Sequence, residues 1–293
     1  MKVVVANPTG LCFGVRRAVE ELENALRDGG RVFALGSPIH NPQEIARLEA
    51  VGLVVVEDPD TIPEGATVFI RAHGVSPRVF ETARKRAGRI VDGTCPFVRN
   101  AQERAELLSR EGYFVVIVGD EDHPEVQGIR GYVTGEAEVL NDMKEFSLPP
   151  RRDKIGIVCQ TTQKETTLAG VVARVVPQAR EIRVFNTICG ATVARQDSVR
   201  RLAAEVDGII IIGGRNSANT KKLFEIAQGA GAPVLWIEHA QELDRGWLSD
   251  KAIIGVAAGA STPDWLIHQL ISMLATERSS RGMDGNGGAR EQR

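Results

Sequence analysis

Short runs of β-branched residues alternate with longer stretches of helical periodicity from one end of this chain to the other, and that rhythm limits the possible folds more than any other feature. Strands are expected over 3–6, 31–35, 54–57, 67–70, 114–118, 155–158, 208–212, 233–237 and 252–257, with helices over 16–27, 42–50, 78–87, 98–111, 163–176, 192–206, 220–229 and 263–274. Strands separated by helices return to the same sheet edge in parallel, so the alternation implies β-α-β units. Several runs are apolar throughout, as in Gly208-Ile209-Ile210-Ile211-Ile212, the pattern of a strand covered on both faces. A length of 293 residues accommodates two or three domains. The expected class is therefore α/β, as three similar open α/β domains with mainly parallel sheets around a shared cavity. The cuts fall near residues 95 and 189, giving 1–95, 96–188 and 189–278. No sequence repeat has that period, so any threefold likeness is structural only. Residues 279–293 carry Met283 and Ala289 as their apolar content and are expected to be a disordered tail.

Composition excludes several roles. A formal net charge of −2 gives nucleic acid or an anionic membrane nothing to hold, so neither is expected as a partner. No apolar run approaches a membrane span, and the apolar start at Val3 to Ala6 is too short for a signal peptide. Four cysteines in the chain do not make a disulfide scaffold. A reducing, cytoplasmic setting is expected, with metal or catalytic use of the thiols.

Three of those cysteines lie in separate loops beside Gly, Pro or Thr: Cys12 in Gly10-Leu11-Cys12-Phe13-Gly14, Cys95 in Gly93-Thr94-Cys95-Pro96, and Cys189 in Thr187-Ile188-Cys189-Gly190. The stretches between them are about the size of a small α/β domain, and no pair has Cys-x-x-Cys spacing. If they meet, they meet in space where domains converge. Three thiolates around one point leave a fourth coordination position open, which suits a metal cluster that binds a substrate. Cys159 follows an apolar strand and reads as a small buried side chain.

The strand exits carry the polar residues. Six of them are followed by segments containing His40-Asn41, His73-Gly74, His123-Pro124-Glu125, Gln160-Thr161-Thr162, Asn216-Ser217-Ala218-Asn219 and Ser261-Thr262-Pro263. In open parallel sheets, ligands bind at the carboxyl ends of the strands. Taken singly, Ser217, Ser261 or Thr262 would be an ordinary helix N-cap, and a lone loop histidine would be surface decoration. His40, His73 and His123, however, occupy the same topological place in three units, which decoration seldom produces. His239 and His268 lack that context and are assigned to the surface. Glu125 sits where a proton donor would be useful. The segment 213–220 lacks the Walker pattern, and no Gly-x-Gly-x-x-Gly follows a strand. Hydroxyl-rich helix starts with histidines best suit a phosphate or diphosphate.

These motifs together, from Asn7-Pro8-x-Gly10-x-Cys12-x-Gly14 through Ala72-His73-Gly74-Val75, Thr94-Cys95-Pro96, His123-Pro124-Glu125-Val126, Gln160-Thr161-Thr162, Cys189-x-Ala191-Thr192 with Arg195-Gln196, and Asn216-Ser217-x-Asn219 to Ala258-Gly259-Ala260-Ser261-x-Pro263-Asp264, resemble the 4-hydroxy-3-methylbut-2-enyl diphosphate reductase family over about residues 1 to 275. The resemblance implies reductive dehydroxylation of that allylic diphosphate to isopentenyl and dimethylallyl diphosphates. It implies a [4Fe-4S] cluster with one open iron on Cys12, Cys95 and Cys189, so that the three domains would surround the cluster as well as the cavity. It assigns proton supply to Glu125, with Thr161 relaying or orienting the hydroxyl and His123 assisting. It assigns the diphosphate to His40, His73, His123, Ser217, Ala218, Asn219 and Ser261, and the electrons to a donor of ferredoxin or flavodoxin type. Ala218 stands where many relatives have a second Ser, leaving its N–H as the donor. The competing readings are a structural zinc protein and a non-catalytic phosphometabolite-binding module.

Overall fold

A computed structural model describes residues 1–141 and 151–284. Its strands form three four-stranded sheets, each parallel throughout. In chain order the elements begin with β1 (Lys2–Val5), α1 (Phe13–Arg27), β2 (Val32–Leu35), α2 (Pro42–Glu49), β3 (Leu53–Val56), β4 (Thr67–Ile70), α3 (Pro77–Arg86) and β5 (Arg89–Asp92). There follow α4 (Pro96–Arg110), β6 (Phe114–Val118), α5 (Pro124–Arg130), β7 (Ala137–Leu140), β8 (Arg152–Cys159), α6 (Glu165–Val175), β9 (Ala179–Val184) and α7 (Gly190–Ala203). The last are β10 (Gly208–Ile212), α8 (Ala218–Gly229), β11 (Val234–Ile237), α9 (Arg245–Leu248), β12 (Ile253–Ala258) and α10 (Asp264–Asp284). The chain divides into two compact units, one of Cys12–Val193 and one of Met1–Leu11 with Ala194–Arg293.

The larger unit holds two sheets, ordered β3-β2-β4-β5 and β7-β6-β8-β9. Successive residues of each strand point to opposite faces, and helices cover both. In the first sheet Phe69 packs with Leu22, Leu26 and Leu48 on one side, while Val68 and Ile70 pack with Ile62 and Ala83 on the other. In the second, Val115 and Ile117 meet Ala105, Leu108 and Ile129, and Val116 and Val118 meet Leu168 and Val171. Coverage on both faces is why these strands read as unbroken apolar runs.

The smaller unit repeats the scheme around β1-β12-β10-β11. Every residue of β10 is buried, with Ile210 and Ile212 packed against α10 residues Leu266 and Leu270 and Ile209 and Ile211 against Leu202 and Leu223. The fourth strand here is β1, paired with β12 in the register Lys2 to Ile253. The alternation of strands and helices in the sequence puts residues 1–95 in one unit. Pairing instead assigns the first strand to the sheet built from the last third of the chain.

Three strands were not expected. β5, β7 and β9 are edge strands with charged residues among their apolar ones, so they lack the apolar run that marks their neighbours. α10 extends to Asp284, so residues 279–284 are helical and not a tail; residues 285–293 of the expected tail lie outside the described residues. Among the described residues no helix is long and apolar enough to cross a membrane.

Each sheet has the same plan. Numbering the strands of each by position, the order is 2-1-3-4, with the third sheet completed by β1. Connections leave the first and third strands in opposite directions, opening a crevice between their carboxyl ends. Those strand pairs are β2 and β4, β6 and β8, and β10 and β12. They are followed by His40 and His73, by Glu125 and Thr161, and by Ser217 and Ser261. The fourth strands β5, β9 and β1 are each followed by a cysteine, Cys95, Cys189 and Cys12 in turn.

Candidate active site

All three cysteines belong to the larger unit, and each stands at the start of a helix. Cys12 caps α1 and Cys95 caps α4 with extended backbones and no side-chain cap bond. The Cys189 carbonyl accepts from the Thr192 and Val193 N–H groups at 2.9 and 3.2 Å as α7 begins. Unsatisfied N–H groups and the positive end of a helix favour thiolate. Burial pushes the Cys95 thiol up; the Phe97 and Val98 N–H groups pull it back, and Cys12 and Cys189 add to the rise. Burial raises Cys189 as well, opposed by Thr192 and reinforced by Cys12 and Glu125. The three sulfurs thus lie within one another's fields. A Cβ on Gly14 would overlap the Cys95 Sγ, so only glycine lets α1 approach that thiol. Three soft thiolates, N–H donors aimed at sulfur and a side-chain-free approach fit the ligand set of an iron–sulfur centre.

The cysteine loops are tied to the polar loops. The Cys95 N–H donates to the Ala72 carbonyl, beside His73, at 3.0 Å, and the Cys189 N–H donates to the Thr161 carbonyl at 3.0 Å. Glu125, in the first turn of α5, is 2% exposed. Its Oε1 accepts the Thr161 N–H at 2.6 Å and its Oε2 the Thr161 hydroxyl at 2.9 Å. Burial lifts its pKa to about 7 against the pull of those two bonds. A carboxyl group poised there holds and releases a proton at neutral pH. Gln160 braces the loop: its Oε1 accepts the Asp120 N–H at 3.0 Å, and its amide donates to the Thr162 hydroxyl at 3.0 Å.

His40, His73 and His123 come together, with ring centroids 4.5, 5.3 and 5.7 Å apart. Burial lowers His40 and His123 to about 4, with Arg71 contributing to both. It also lowers His73 well below the usual value. All three are neutral near pH 7. Their nitrogens are close enough to hold a metal ion, but His123 Nδ1 accepts the Glu125 N–H at 3.1 Å. Its proton then resides on Nε2, which offers a donor and no lone pair to the cluster of rings. That tautomer suits an anion. The His73 Nδ1 is buried without a hydrogen-bond partner among the described residues.

In the smaller unit, Ser217 caps α8, accepting the Thr220 N–H at 3.3 Å, and receives the Ser261 hydroxyl at 3.1 Å. Asn219 is buried, and neither its amide nitrogen nor its oxygen has a hydrogen-bond partner among the described residues. Ala218 opens α8, so its N–H is one that no helical carbonyl takes. Buried unpaired amide groups cost about 1–3 kcal/mol, a cost that a bound anion or hydroxyl removes. Thr262 is structural, donating to the Ile212 carbonyl at 3.0 Å, as is Asn41, which caps α2 through the Glu44 N–H at 2.9 Å.

The larger unit therefore collects Cys12, Cys95, Cys189, Glu125, Thr161 and the three histidines, and the smaller one collects Ser217, Ala218, Asn219 and Ser261. Cys159 is buried, and burial pushes its thiol up. His268 is exposed and His239 pairs with Glu242 at the surface. One charged neighbour gives little sign of its role in the sequence. Arg71, directly after β4, is largely buried, and its guanidinium packs against Gly36 (φ +67°) so closely that a Cβ there would overlap it. Its charge reaches all three histidines. A lone arginine two residues ahead of His73 was its only sequence signal.

Residues 3–275 match the family described as LytB protein. A 4-hydroxy-3-methylbut-2-enyl diphosphate reductase of Geobacter sulfurreducens is 48% identical over 274 residues, covering 94% of this chain and 97% of that one. The Aquifex aeolicus enzyme of the same name is 43% identical, covering 93% and 95%. Among solved structures, one of (E)-4-hydroxy-3-methyl-but-2-enyl diphosphate reductase, the terminal enzyme of the non-mevalonate pathway, aligns with a TM-score of 0.71 and 42% identity over 94% of this chain and 100% of that one. The Plasmodium falciparum reductase aligns with a TM-score of 0.86 and 26% identity, over 94% and 88%. A match that spans nearly the whole of both partners, at these identities, places this chain in the LytB family.

Proposed function

We propose that this chain reduces 4-hydroxy-3-methylbut-2-enyl diphosphate, breaking its allylic C–O bond with two electrons and two protons to give isopentenyl or dimethylallyl diphosphate and water. Cys12, Cys95 and Cys189 would hold a [4Fe-4S] cluster, and when bound it supplies electrons and a Lewis-acidic iron free to meet the substrate hydroxyl. Glu125 keeps a proton on its carboxyl near neutral pH and passes it toward the departing hydroxyl or the allyl carbon. Thr161 orients that carboxyl through two hydrogen bonds and offers its own hydroxyl to the substrate. The neutral imidazoles of His40, His73 and His123 donate N–H bonds to the diphosphate, as do Ser217, Asn219 and Ser261 and the Ala218 N–H. Holding the diphosphate end fixes the allyl unit, and that orientation is a large part of the rate. The electrons come from a ferredoxin- or flavodoxin-type donor, and the setting is cytoplasmic.

The observation that carries this reading is the sharing of one residue between acid and thiol. Thr161 gives both its N–H and its hydroxyl to the buried Glu125, while its carbonyl takes the Cys189 N–H. A binding module needs no proton donor with a pKa of about 7 fastened to a cysteine loop. The test is replacement of Cys12, Cys95 or Cys189 singly by Ser, with protein purified without oxygen. Each variant should lose the brown colour, the broad visible absorption and turnover together. Colourless wild-type protein with bound zinc, or Ser variants that keep the colour and the activity, would refute the assignment.

A further inference from the structure

A diphosphate carries several negative charges near neutral pH, yet every group assigned to hold it is neutral. The imidazoles of His40, His73 and His123 are uncharged near pH 7, and the remaining contacts are hydroxyls, an amide and a backbone N–H. Taking a polyanion out of water without a countercharge is costly. Burial lowers the histidines first, and the one arginine or lysine that adds to it is in each case Arg71.

Arg71 is held by the two loops that carry His40 and His73. Its carbonyl accepts the Gly74 N–H at 2.9 Å, closing a turn over 71–74 that contains His73. Its guanidinium reaches the loop after β2, where Gly36 has φ +67° and no Cβ to obstruct it. That same loop leads to His40. The Gly36 N–H donates to the Val56 carbonyl at 2.8 Å, which brings Glu57 near. Arg71 and Glu57 line one cavity of about 200 Å³, but no hydrogen bond or ion pair joins them among the described residues. The Arg71 Nε is buried without a hydrogen-bond partner among those residues. A guanidinium kept for stability alone would be paired, since an unpaired buried donor costs stability. The acids around it do little to cancel its charge. Glu57 and Asp120 are exposed, Asp120 acts on His123 alone, and Glu125 keeps its proton up to about pH 7.

We propose that Arg71 is a positioning residue for the diphosphate: a fixed cation beside His40, His73 and His123 that draws the anion onto those rings. The proposal rests on the reductase reading above and adds the charge that its neutral contacts lack. Before ligand arrives, this cation keeps the imidazoles as neutral N–H donors. Once the diphosphate is bound, cation and anion stabilise each other across the rings.

The experiment measures inorganic pyrophosphate binding by calorimetry at pH 6 and pH 8 on the intact, cluster-loaded protein. The variants are Arg71→Met, Arg71→Gln and Arg71→Lys. At pH 8 the Met and Gln variants should bind about tenfold or more weakly, while Lys stays within about threefold of the parent because it keeps the charge. The loss should shrink at pH 6, because imidazoles relieved of Arg71 take protons more readily and supply the missing charge. With the allylic diphosphate, KM should rise by the same factor as the Kd while kcat stays within about threefold, since the attraction is alike in the ground and transition states. The visible spectrum should be that of the parent, and Tm should not fall, because no hydrogen bond of the guanidinium is lost. Met and Gln variants that bind pyrophosphate as the parent does would end the role. A Lys variant as weak as the neutral ones would make the fork the requirement and refute action by charge. Equal losses at pH 6 and pH 8 would remove the imidazoles as intermediaries and overturn the proposal. A lowered Tm or an altered spectrum in all the variants would make Arg71 a structural support, refuting it as well. A parent that binds no pyrophosphate would remove the diphosphate reading itself, and this proposal with it.

Discussion

Replacing Glu125 by Gln tests the site where its physics is sharpest. The folded protein lifts this carboxyl from 4.5 to about 7 by burial, even though two Thr161 bonds favour its ionised form. At about 1.4 kcal/mol per pKa unit, the shift is worth roughly 3 kcal/mol between the protonated and ionised folded states. The unfolded chain releases the proton near 4.5, while the folded protein keeps it until about 7. Across that window the unfolded state binds fewer protons, so this group makes stability fall as pH rises from 4.5 toward 7 and then level off. Gln has no proton to lose. Its carbonyl can still accept from the Thr161 N–H, and the Thr161 hydroxyl can turn to accept from its amide.

The E125Q variant should therefore gain on the parent by roughly 3 kcal/mol between pH 5 and pH 8, several degrees of Tm in a chain of this size. Turnover should move the opposite way. With the proton donor gone, reduction by anaerobic methyl viologen should drop by about 10²- to 10⁴-fold, while calorimetry still detects diphosphate binding. The parent's rate should fall above about pH 7 as the carboxyl ionises. A variant within about tenfold of parent turnover, or a Tm difference that stays constant across the pH range, would refute the assignment of Glu125.

Two further outcomes are expected. Gly14→Ala puts a methyl group into the Cys95 Sγ. It should strip the brown colour and the turnover while the far-ultraviolet circular dichroism stays that of the parent; retained visible absorption would show that the thiol does not need that approach. Diphosphate binding should draw protons from solution, because an anion among imidazoles held at about 4 by burial raises them toward neutrality. Calorimetry near pH 6 in two buffers of different ionisation heat reads the uptake directly, and identical heats would refute it. The same two histidines make the unliganded protein lose stability as pH falls from 6.5 toward 4, since the unfolded chain takes the protons first. That trend opposes the Glu125 contribution.

What the sequence discloses depends on how local the cause is. β10 and β6 were readable to the residue because burial on both faces leaves an unbroken apolar run. β5, β7 and β9 give little sign of themselves because charged residues stand among their apolar ones, and a short run of mixed character resembles a loop. The pairing of β1 with β12 joins residues at opposite ends of the chain and leaves no mark in either segment. The site divides the same way. Cysteines among turn residues and histidines after strands announce themselves, since each owes its place to the loop that carries it. Gly14 beneath Cys95 and Gly36 beneath Arg71 are fitted to partners far along the chain, and a glycine in a loop already has a sufficient local reason to be there.

The shared strand order explains why thiols and polar groups fall where they do. In a 2-1-3-4 sheet the crevice opens between the first and third strands, and loops there have room around a small polar ligand. His40, His73, Glu125, Thr161, Ser217 and Ser261 all follow strands of that class. The fourth strand has no such crevice, and its loop ends at a helix start. A residue at that point acquires an extended backbone, free N–H groups and a positive helix end at once, the conditions that hold a thiolate. Cys95 and Cys189 come after β5 and β9, and Cys12 after β1, the strand that completes the third sheet. The first strand is therefore expected to be indispensable to the chemistry though it carries no functional side chain. It pairs with β12 in the register Lys2 to Ile253, and the chain runs on from it to Cys12. Deleting residues 2–5 should remove the cluster even in protein whose remaining sheets are intact.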